Sequence, residues 1–271
     1  MRLLWIDVSS YEDNVASGRL IDFNKAKAAG AVAVSFRCNQ GTAEDASFSA
    51  LWKACKGILP RQAYTLLDCR YDWKPQVQML LDLTAPDPGE LPDCFDFEEP
   101  FAMPDAQYWK YQFSGWNPLY DAISYHQTAR PGMKPWVYTT AGFWNLAAGN
   151  IPSASAQWFA QFPLWVAEYP ENGEPIPSDQ EVPNPIPSAW APNWLAWQFT
   201  PSGNAQDFGI SPLDAHSVDE SVFNLTMDQF NAMIGKPVIV VVTPPSPVTP
   251  AAPTLLHTYG LYSDYTFKEL S

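Results

Sequence analysis

The stretch that decides the fold is LLWIDVSSYEDNVASGRLIDFNKAKAAGAVAVSF, residues 3–36. Its first run, Leu3–Ile6, is apolar at every position, which is typical of a strand buried on both faces of a sheet. Phe23–Ala29 has a helical composition and ends at Gly30, the residue type that most often terminates helices. Ala31–Phe36 again reads as a strand that is apolar on both faces. Strand, helix and strand at this spacing predict a βαβ unit, the building block of parallel sheets.

The same alternation continues along the chain. We predict helices over 45–56 and 75–83, and further strands over 61–67, 91–98, 135–138, 163–167 and 194–199. A last strand is predicted to end near Val218 and Asp219. Eight strands in this order favour a closed α/β barrel over an open sheet. Residues 170–193 are rich in Pro, Asn and Ser and predict no helix, so the second half should depart from a regular β/α repeat.

The composition divides the chain into three segments. We assign residues 1–235 to the barrel domain, 236–253 to a proline-rich linker and 254–271 to a short aromatic tail. Prolines are typical of semi-extended linkers, and the tail is too short to fold alone. With 271 residues and 46% hydrophobic content, the chain can bury one large core.

The overall charge and the N-terminal segment argue against some classes of function. A formal net charge of −14 does not suit a general nucleic-acid binder, because neutralising phosphates requires clustered Lys and Arg. No apolar run approaches the roughly 20 residues that a membrane-spanning helix needs. Asp7 interrupts the first apolar run, so we expect no secretory signal peptide. We expect a monomer that is made in the cytoplasm and does not insert into membranes.

The cysteines and histidines predict neither a disulfide framework nor a metal centre. The cysteines are Cys38, Cys55, Cys69 and Cys94. They show no C-x-x-C spacing and are interpreted as reduced structural residues, with a disulfide between neighbouring strands as the alternative. His126, His216 and His257 are interpreted as isolated surface histidines, because they lack metal-ligand spacing. We expect neither a bound metal nor a cofactor.

Acidic residues follow the predicted strands at several points. They are Asp7 after the first strand, Asp96 and Glu98 at the end of the fourth, and Asp219 at the end of the eighth. In a parallel barrel these strand ends meet at one face, where active sites lie. Asp96 and Glu98 project to the same side of their strand, and barrel closure brings Asp7 beside Asp219. Carboxylates this close cannot all ionise, so at least one pKa should be raised.

This group of carboxylates fits the cleavage of glycosidic bonds. That reaction needs a protonated carboxyl for the leaving oxygen and a negative charge beside an oxocarbenium-like centre. An oxygen-rich site for Mg²⁺ or Ca²⁺ is the chemical alternative, and the capping of following helices is the structural one. The spacing of the residues does not choose between Asp96 and Glu98 as the acid.

Aromatic residues cluster at the same strand ends, where a polysaccharide groove would use them to stack on sugar rings. The predicted substrate-binding residues are Tyr64, Tyr138, Trp165, Tyr169 and Gln198. Trp136 and Trp197 lie inside apolar strands and are predicted to pack in the core.

Several short motifs also occur along the chain in a fixed order. They are Ile6–Tyr11, Ile21–Gly30, Asn39–Asp45, Phe95–Glu98, Trp136–Thr139, Leu164–Tyr169, Trp197–Gly203, Val218–Asp219 and Phe223. Together they resemble glycoside hydrolase family 25, the Chalaropsis-type lysozymes. The resemblance extends over residues 3–235.

This resemblance implies a fold, a reaction and a role for each acid. The implied fold is an irregular TIM-like barrel, (β/α)5(β)3. The implied reaction is hydrolysis of the β-1,4 bond between N-acetylmuramic acid and N-acetylglucosamine in peptidoglycan, with retention at the anomeric centre. Glu98 corresponds to the general acid and base, and Asp96 to the residue that orients the acetamido group or supplies negative charge. Asp7 and Asp219 complete the group, and a non-catalytic glycan-binding barrel is the alternative function.

The chain departs from the family pattern at a few positions. Glu12 stands at the edge of the groove, where the family often has Gln, and Glu99 adds an acid directly after Glu98. The segment 101–118, with Trp109 and Trp116, looks longer than usual and is expected to reshape the groove wall. Without a signal peptide, we expect a phage endolysin released through a holin-type pore, or a virion-associated enzyme.

Overall fold

The computed structural model describes most of the chain and divides it into two compact units. The described residues are 2–13, 18–98, 116–148, 151–170, 176–235, 258–261 and 267–270. The first unit is Met1–Thr226 and contains the barrel, and the second is Met227–Ser271.

The first unit alternates strands and helices in the predicted order. Its strands are β1 (Leu3–Val8), β2 (Ala31–Gln40), β3 (Ala43–Glu44), β4 (Arg61–Leu66), β5 (Cys94–Asp96), β6 (Trp136–Thr140), β7 (Leu164–Ala167), β8 (Ala196–Asn204) and β9 (Ser217–Phe223). Its helices are α1 (Phe23–Ala28), α2 (Phe48–Cys55), α3 (Trp73–Thr84), α4 (Asn117–Ala129), α5 (Ala141–Ala148), α6 (Ser153–Phe159) and a 3₁₀ helix (Ala205–Phe208). Five strands are followed by helices and β7, β8 and β9 then close the sheet, which confirms the expected (β/α)5(β)3 architecture.

Among the described residues, eight strands close the barrel in the order β1-β2-β4-β5-β6-β7-β8-β9, and β3 adds an extra strand beside β2. Around the barrel, the pairs from β1 to β8 are parallel, whereas β9 runs antiparallel to both β8 and β1; the extra strand β3 runs antiparallel to β2. The prediction that the last strand ends near Val218 and Asp219 is therefore wrong, because β9 begins at Ser217. An antiparallel strand brings its first residues to the carboxyl ends of its neighbours. We call that face of the barrel the mouth.

Aromatic side chains fill the barrel interior below the mouth. The ring of Trp5 lies 5.8 Å from Trp136, 4.5 Å from Trp165 and 4.8 Å from Phe223, measured between centroids. Trp5 is on β1 and Trp136 on β6, which are not neighbours, so this contact crosses the interior. Alternate residues of a strand share a side. Asp7 therefore also projects inwards, one layer nearer to the mouth than Trp5.

The helices begin and end where their local sequence allows. Asp22 caps α1 by accepting from the Asn24 backbone amide at 3.1 Å, and Asp72 caps α3 in the same way. Gly30 follows α1 with φ +102°, a left-handed conformation that suits glycine and explains the predicted helix end. Residues 176–193 contain turns and no helix, in agreement with the prediction for that part of the segment.

Several predictions concern the parts of the chain that the structure does not describe. The linker 236–253, Glu99 and most of the segment 101–118 lie outside the described residues. Within the second unit, the described residues form α7 (Met227–Met233) and an antiparallel pair of strands, β10 (Thr258–Leu261) and β11 (Phe267–Leu270). Across the described ranges, no helix has the length and apolar character needed to cross a membrane.

Candidate active site

A pocket of about 390 Å³ opens at the mouth of the barrel. The carboxyl ends of the parallel strands and the first residues of β9 form its walls. The lining residues are Asp7, Ser9, Tyr11, Glu12, Arg37, Tyr64, Leu66, Asp96, Glu98, Tyr138, Trp165, Tyr169, Gln198, Pro201 and Asp219. Every residue predicted as catalytic or substrate-binding is in this set, so the fold brings all of them together.

Two of the carboxylates face each other across the β1–β9 pair. Asp7 lies directly opposite Asp219 in the antiparallel register. Gln198 Nε2 donates to Asp7 Oδ2 at 3.0 Å and to Asp219 Oδ2 at 3.2 Å. One amide group thus bridges both carboxylates and offsets part of their mutual repulsion.

The surroundings of Asp7 and Asp219 favour their neutral forms. Burial raises the pKa of Asp7 well above its ordinary value, and the nearby charge of Asp219 raises it further. The hydrogen bond from Gln198 lowers the pKa of Asp7 without cancelling these effects. Burial raises the pKa of Asp219 to about 7, and the charge of Glu12 acts in the same direction. The pair therefore retains a proton near neutral pH.

Asp96 and Glu98 approach the pocket from the opposite side of the barrel. Asp96 is the last residue of β5 and only 5% exposed, whereas Glu98 lies just beyond the strand and is half-buried. Burial raises the pKa of Asp96 well above its ordinary value, with Glu98 and Asp7 adding to the rise. Burial, followed by the charge of Asp219, raises the pKa of Glu98 to about 7. Glu98 therefore exchanges its proton close to neutral pH.

Asp96 also has an unused hydrogen-bonding position. Its Oδ1 atom is buried and has no hydrogen-bond partner among the described residues. A buried carboxylate oxygen without a partner is costly in a folded protein. The atom is therefore available to a donor group on a bound ligand.

Aromatic side chains and Gln198 form the rest of the pocket wall. The hydroxyls of Tyr138 and Tyr169 donate to Gln198 Oε1 at 2.8 and 2.6 Å. Trp165 lies edge-on to both Tyr138 and Tyr64, with ring centroids 4.7 and 6.4 Å apart. Tyr169 is 46% exposed, whereas Tyr64 and Tyr138 are buried at the pocket floor. This arrangement offers ring surfaces to a ligand above the carboxylates.

The tryptophans predicted to pack in the core do so. Trp136 is fully buried and Trp197 is 3% exposed, and neither lines the pocket. Trp197 Nε1 donates to the backbone oxygen of Glu168, which ties β8 to the end of β7.

Arg37 is a pocket residue that the sequence reasoning missed. Its guanidinium lies 2.8 Å from Asp45 Oδ2, and the two side chains are 9% and 1% exposed. Its positive charge lowers the pKa of Asp96, against the effect of burial. Arg37 directly follows the apolar run that ends at Phe36. The rule that selected Asp7, a charged residue at a strand end, would have selected it too.

Glu12, which the sequence analysis noted as a departure from the family pattern and did not count among the site residues, also lines the pocket. Its Oε2 atom accepts from the backbone amide and the hydroxyl of Ser9, at 2.7 and 2.9 Å, which closes the loop after β1. Burial raises the pKa of Glu12, although the Ser9 hydrogen bonds lower it. Glu12 therefore adds a fifth carboxylate to the pocket.

The histidines are partly different from the prediction, and the cysteines agree with it. His126 is fully buried on α4, so its predicted surface position is wrong. Its Nε2 lies 2.8 Å from Asp93 Oδ2, which also accepts from Arg130. This contact joins α4 to the residue before β5 and was not visible in the local sequence. His216 is exposed as predicted, and His257 lies outside the described residues. All the cysteines are free.

The sequence matches a known family over most of its length. A family model described as "Glycosyl hydrolases family 25" matches residues 6–208. The chain belongs to glycosyl hydrolases family 25. It is therefore a glycoside hydrolase, in agreement with the prediction. A comparison with curated proteins gave no match.

Solved structures with the same barrel come from bacteria, fungi and a phage. A bacterial lysozyme from Streptomyces coelicolor has a TM-score of 0.61 at 23% identity, covering 86% of this chain and 97% of its own. A family GH25 lysozyme from Aspergillus fumigatus has a TM-score of 0.60 at 21% identity, covering 86% and 99%. The catalytic domain of endolysin ply40 from bacteriophage P40 of Listeria monocytogenes has a TM-score of 0.58 at 18% identity, covering 87% and 98%. These likenesses establish that the family 25 chain shares their fold.

Proposed function

We propose that this family 25 chain is a lysozyme, an N-acetylmuramidase that hydrolyses the β-1,4 bond between N-acetylmuramic acid and N-acetylglucosamine in bacterial peptidoglycan. The observation that carries the proposal is the position of Glu98, with a pKa of about 7, in a pocket shared with other carboxylates. Similar structures are named lysozyme, muramidase and endolysin, and these names support the choice of substrate.

Glu98 is the proposed general acid and then base. A pKa of about 7 leaves about half of the carboxyl groups protonated at neutral pH. Glu98 is more exposed than Asp96 and lies beyond the strand end, so it is better placed to reach the oxygen of a leaving sugar. Its proton passes to that oxygen as the glycosidic C–O bond breaks. Glu98 then takes a proton from the water whose oxygen bonds to the anomeric carbon.

Asp96 is the proposed partner of the substrate's acetamido group. Its partnerless Oδ1 accepts the acetamido N–H, and a hydrogen bond to the charged form of a carboxylate lowers its pKa. Substrate binding therefore favours ionised Asp96, which places negative charge beside the oxocarbenium-like centre. Two routes are then open. In the first, the acetamido oxygen attacks the anomeric carbon, and in the second, the Asp96 carboxylate attacks it. Both routes have two steps, so both give retention.

The remaining pocket residues have proposed roles in binding. Burial keeps Glu98 protonated, and Asp219, which Gln198 bridges to Asp7, adds to this effect. Tyr169 offers an exposed ring surface for sugar contacts, and the buried rings of Tyr64, Tyr138 and Trp165 line the pocket beside it.

The proposal is tested by the release of reducing ends from a purified peptidoglycan suspension. We expect wild-type protein to release them and Glu98→Gln to lose turnover while still sedimenting with the peptidoglycan. Glu44→Gln is the matched control, because Glu44 lies on β3, is exposed and does not line the pocket. Wild-type protein that sediments but releases no reducing ends would instead be a glycan-binding barrel. Activity abolished by a chelator and restored by a divalent ion would point to metal-assisted hydrolysis.

We further propose that the enzyme acts on the bacterial cell wall as a monomer, released through a holin-type pore or carried in a virion. The similarity to the endolysin catalytic domain supports this setting. Light scattering during size-exclusion chromatography tests the oligomeric state, and the mass of a dimer would contradict the proposal of a monomer.

A further inference from the structure

We propose that Tyr71, which lies at the mouth but outside the pocket, is a second binding platform for the glycan strand. The identity of the ligand rests on the proposed function. Tyr71 is 65% exposed and lies in the loop between β4 and α3. Loops that follow parallel strands lie at the mouth. Leu66, the last residue of β4, lines the pocket, whereas Tyr71 does not.

The loop that carries Tyr71 is held by buried polar groups. Gln76 Oε1 accepts from the Asp68 backbone amide at 2.8 Å, and Gln76 Nε2 donates to the backbone oxygens of Asp68 and Asp72 at 2.9 and 3.0 Å. The Tyr71 backbone amide donates to the Asp68 oxygen at 3.2 Å. Gln76 is fully buried on α3. Both ends of the loop are thus fastened to α3, and the exposed ring stands on a fixed backbone.

An arginine contacts the ring itself. Arg70 Cζ lies 5.5 Å from the Tyr71 ring centroid, within the roughly 6 Å range of cation–π contact. Arg70 Nε and Nη2 donate to the two carboxylate oxygens of Asp68, which is 5% exposed. The buried aspartate therefore holds the arginine, and the arginine orients the ring. A ring that is already ordered loses little conformational freedom when a ligand binds.

The same arrangement occurs inside the pocket. Arg37 Cζ lies 4.9 Å from the Tyr11 ring centroid, and Arg37 is held by the buried carboxylate of Asp45. Tyr11 is 59% exposed and lines the pocket. Tyr11 stands after β1 and Tyr71 after β4, and both strands flank β2. The two loops are therefore about two strand spacings apart, roughly 10 Å, which a short oligosaccharide spans.

The chemistry of Tyr71 suits a sugar ring. The C–H groups on the face of a pyranose are weakly positive, and they pack against the negative face of an aromatic ring. The Arg70 charge is matched by Asp68, so the platform offers a flat ring without a strong net charge. A glycan strand bound at the carboxylates and Tyr11 would place an adjoining sugar on Tyr71.

The experiment measures binding to insoluble peptidoglycan in a Glu98→Gln background, where turnover does not deplete the ligand. We expect Tyr71→Ala to weaken binding about tenfold, equivalent to about 1.4 kcal/mol. Tyr71→Phe keeps the ring and should bind like its parent. Leu146→Ala is the control, because Leu146 is 62% exposed on α5 and does not line the pocket. With Glu98 restored, Tyr71→Ala should raise KM for polymeric peptidoglycan and leave kcat unchanged.

The outcomes separate this site from the proposed function. Unchanged binding by Tyr71→Ala overturns the second platform, while release of reducing ends by wild-type protein still upholds the lysozyme. Equal losses in Tyr71→Phe and Tyr71→Ala overturn stacking on the ring. Weakened binding by Tyr71→Ala, in a protein that releases no reducing ends, supports the platform and overturns the proposed lysozyme activity. A parent that does not bind peptidoglycan overturns the platform, and it overturns the lysozyme too if the wild-type protein releases no reducing ends.

Discussion

Replacing Asp219 by Asn should stabilise the protein above neutral pH, although it removes a carboxyl from the pocket. Burial raises the pKa of Asp219 from 3.8 to about 7. Below pH 4 the folded and unfolded states both keep the proton, so the substitution should be nearly neutral. As the pH rises from about 4 to 7, the unfolded carboxyl ionises while the folded one keeps its proton, so wild-type stability falls; above pH 7 both are ionised and the loss stays constant. Asn has the same shape and can still accept from Gln198.

The size of this effect follows from the pKa. A rise from 3.8 to about 7 corresponds to about 4 kcal/mol, at about 1.4 kcal/mol for each tenfold change in proton affinity. Asp219 is partly exposed, and solvent screening reduces the expected gain to about 2 kcal/mol. For a unit of this size we expect a Tm higher by about 4–8 °C at pH 8.

Thermal unfolding of wild-type and Asp219→Asn protein at pH 4, 6 and 8 checks this prediction, with Glu44→Gln as the control for loss of an exposed acid. The Tm difference should grow with pH. A difference that is absent at pH 8, or largest at pH 4, would refute the reasoning that the carboxyl is held neutral in the folded state.

Two further predictions concern the acid and the packing of the barrel. Because Glu98 must carry a proton and has a pKa of about 7, kcat/KM for peptidoglycan should fall as the pH rises through 7; a profile that stays flat to pH 9 would exclude this acid. Gly89→Ala should destabilise the fold by about 1–3 kcal/mol, because the new Cβ would lie 2.4 Å from the Arg61 backbone oxygen. Urea unfolding checks it against Gly142→Ala, whose Cβ would lie 3.8 Å from its nearest neighbour; equal midpoints would contradict it.

Much of the fold could be predicted because its strands are buried on both faces. Runs such as Ala31–Phe36 carry no polar alternation, so they predict a covered parallel sheet without knowledge of their partners. The direction of β9 could not be predicted in this way. The pattern of its residues is compatible with either strand direction. Only the pairing with β1 and β8 determines that the strand is antiparallel. The predicted position of Asp219 at the mouth was nevertheless correct, because the first residues of an antiparallel strand lie beside the last residues of its neighbours.

The sequence predicts those site residues that stand at the end of a recognisable strand. Asp7 and Asp96 stand at strand ends and are found from the local sequence. The buried pair of His126 and Asp93 depends on residues far apart in the chain, so the local sequence gives no sign of it. Glu12 enters the pocket only because Ser9 turns the loop back, which the strand pattern does not show.

The Gln198 side chain determines which hydrogen bonds the two tyrosines can offer. Its carbonyl oxygen receives both the Tyr138 and Tyr169 hydroxyls, and its amide hydrogens go to Asp7 and Asp219. All four hydrogen-bonding positions of the amide are then occupied. Each tyrosine donates its only hydroxyl hydrogen to Gln198. Its oxygen can therefore only accept a hydrogen bond from a bound molecule. The polarity of this wall is thereby fixed, and it selects ligand groups that donate, such as sugar hydroxyls and N–H.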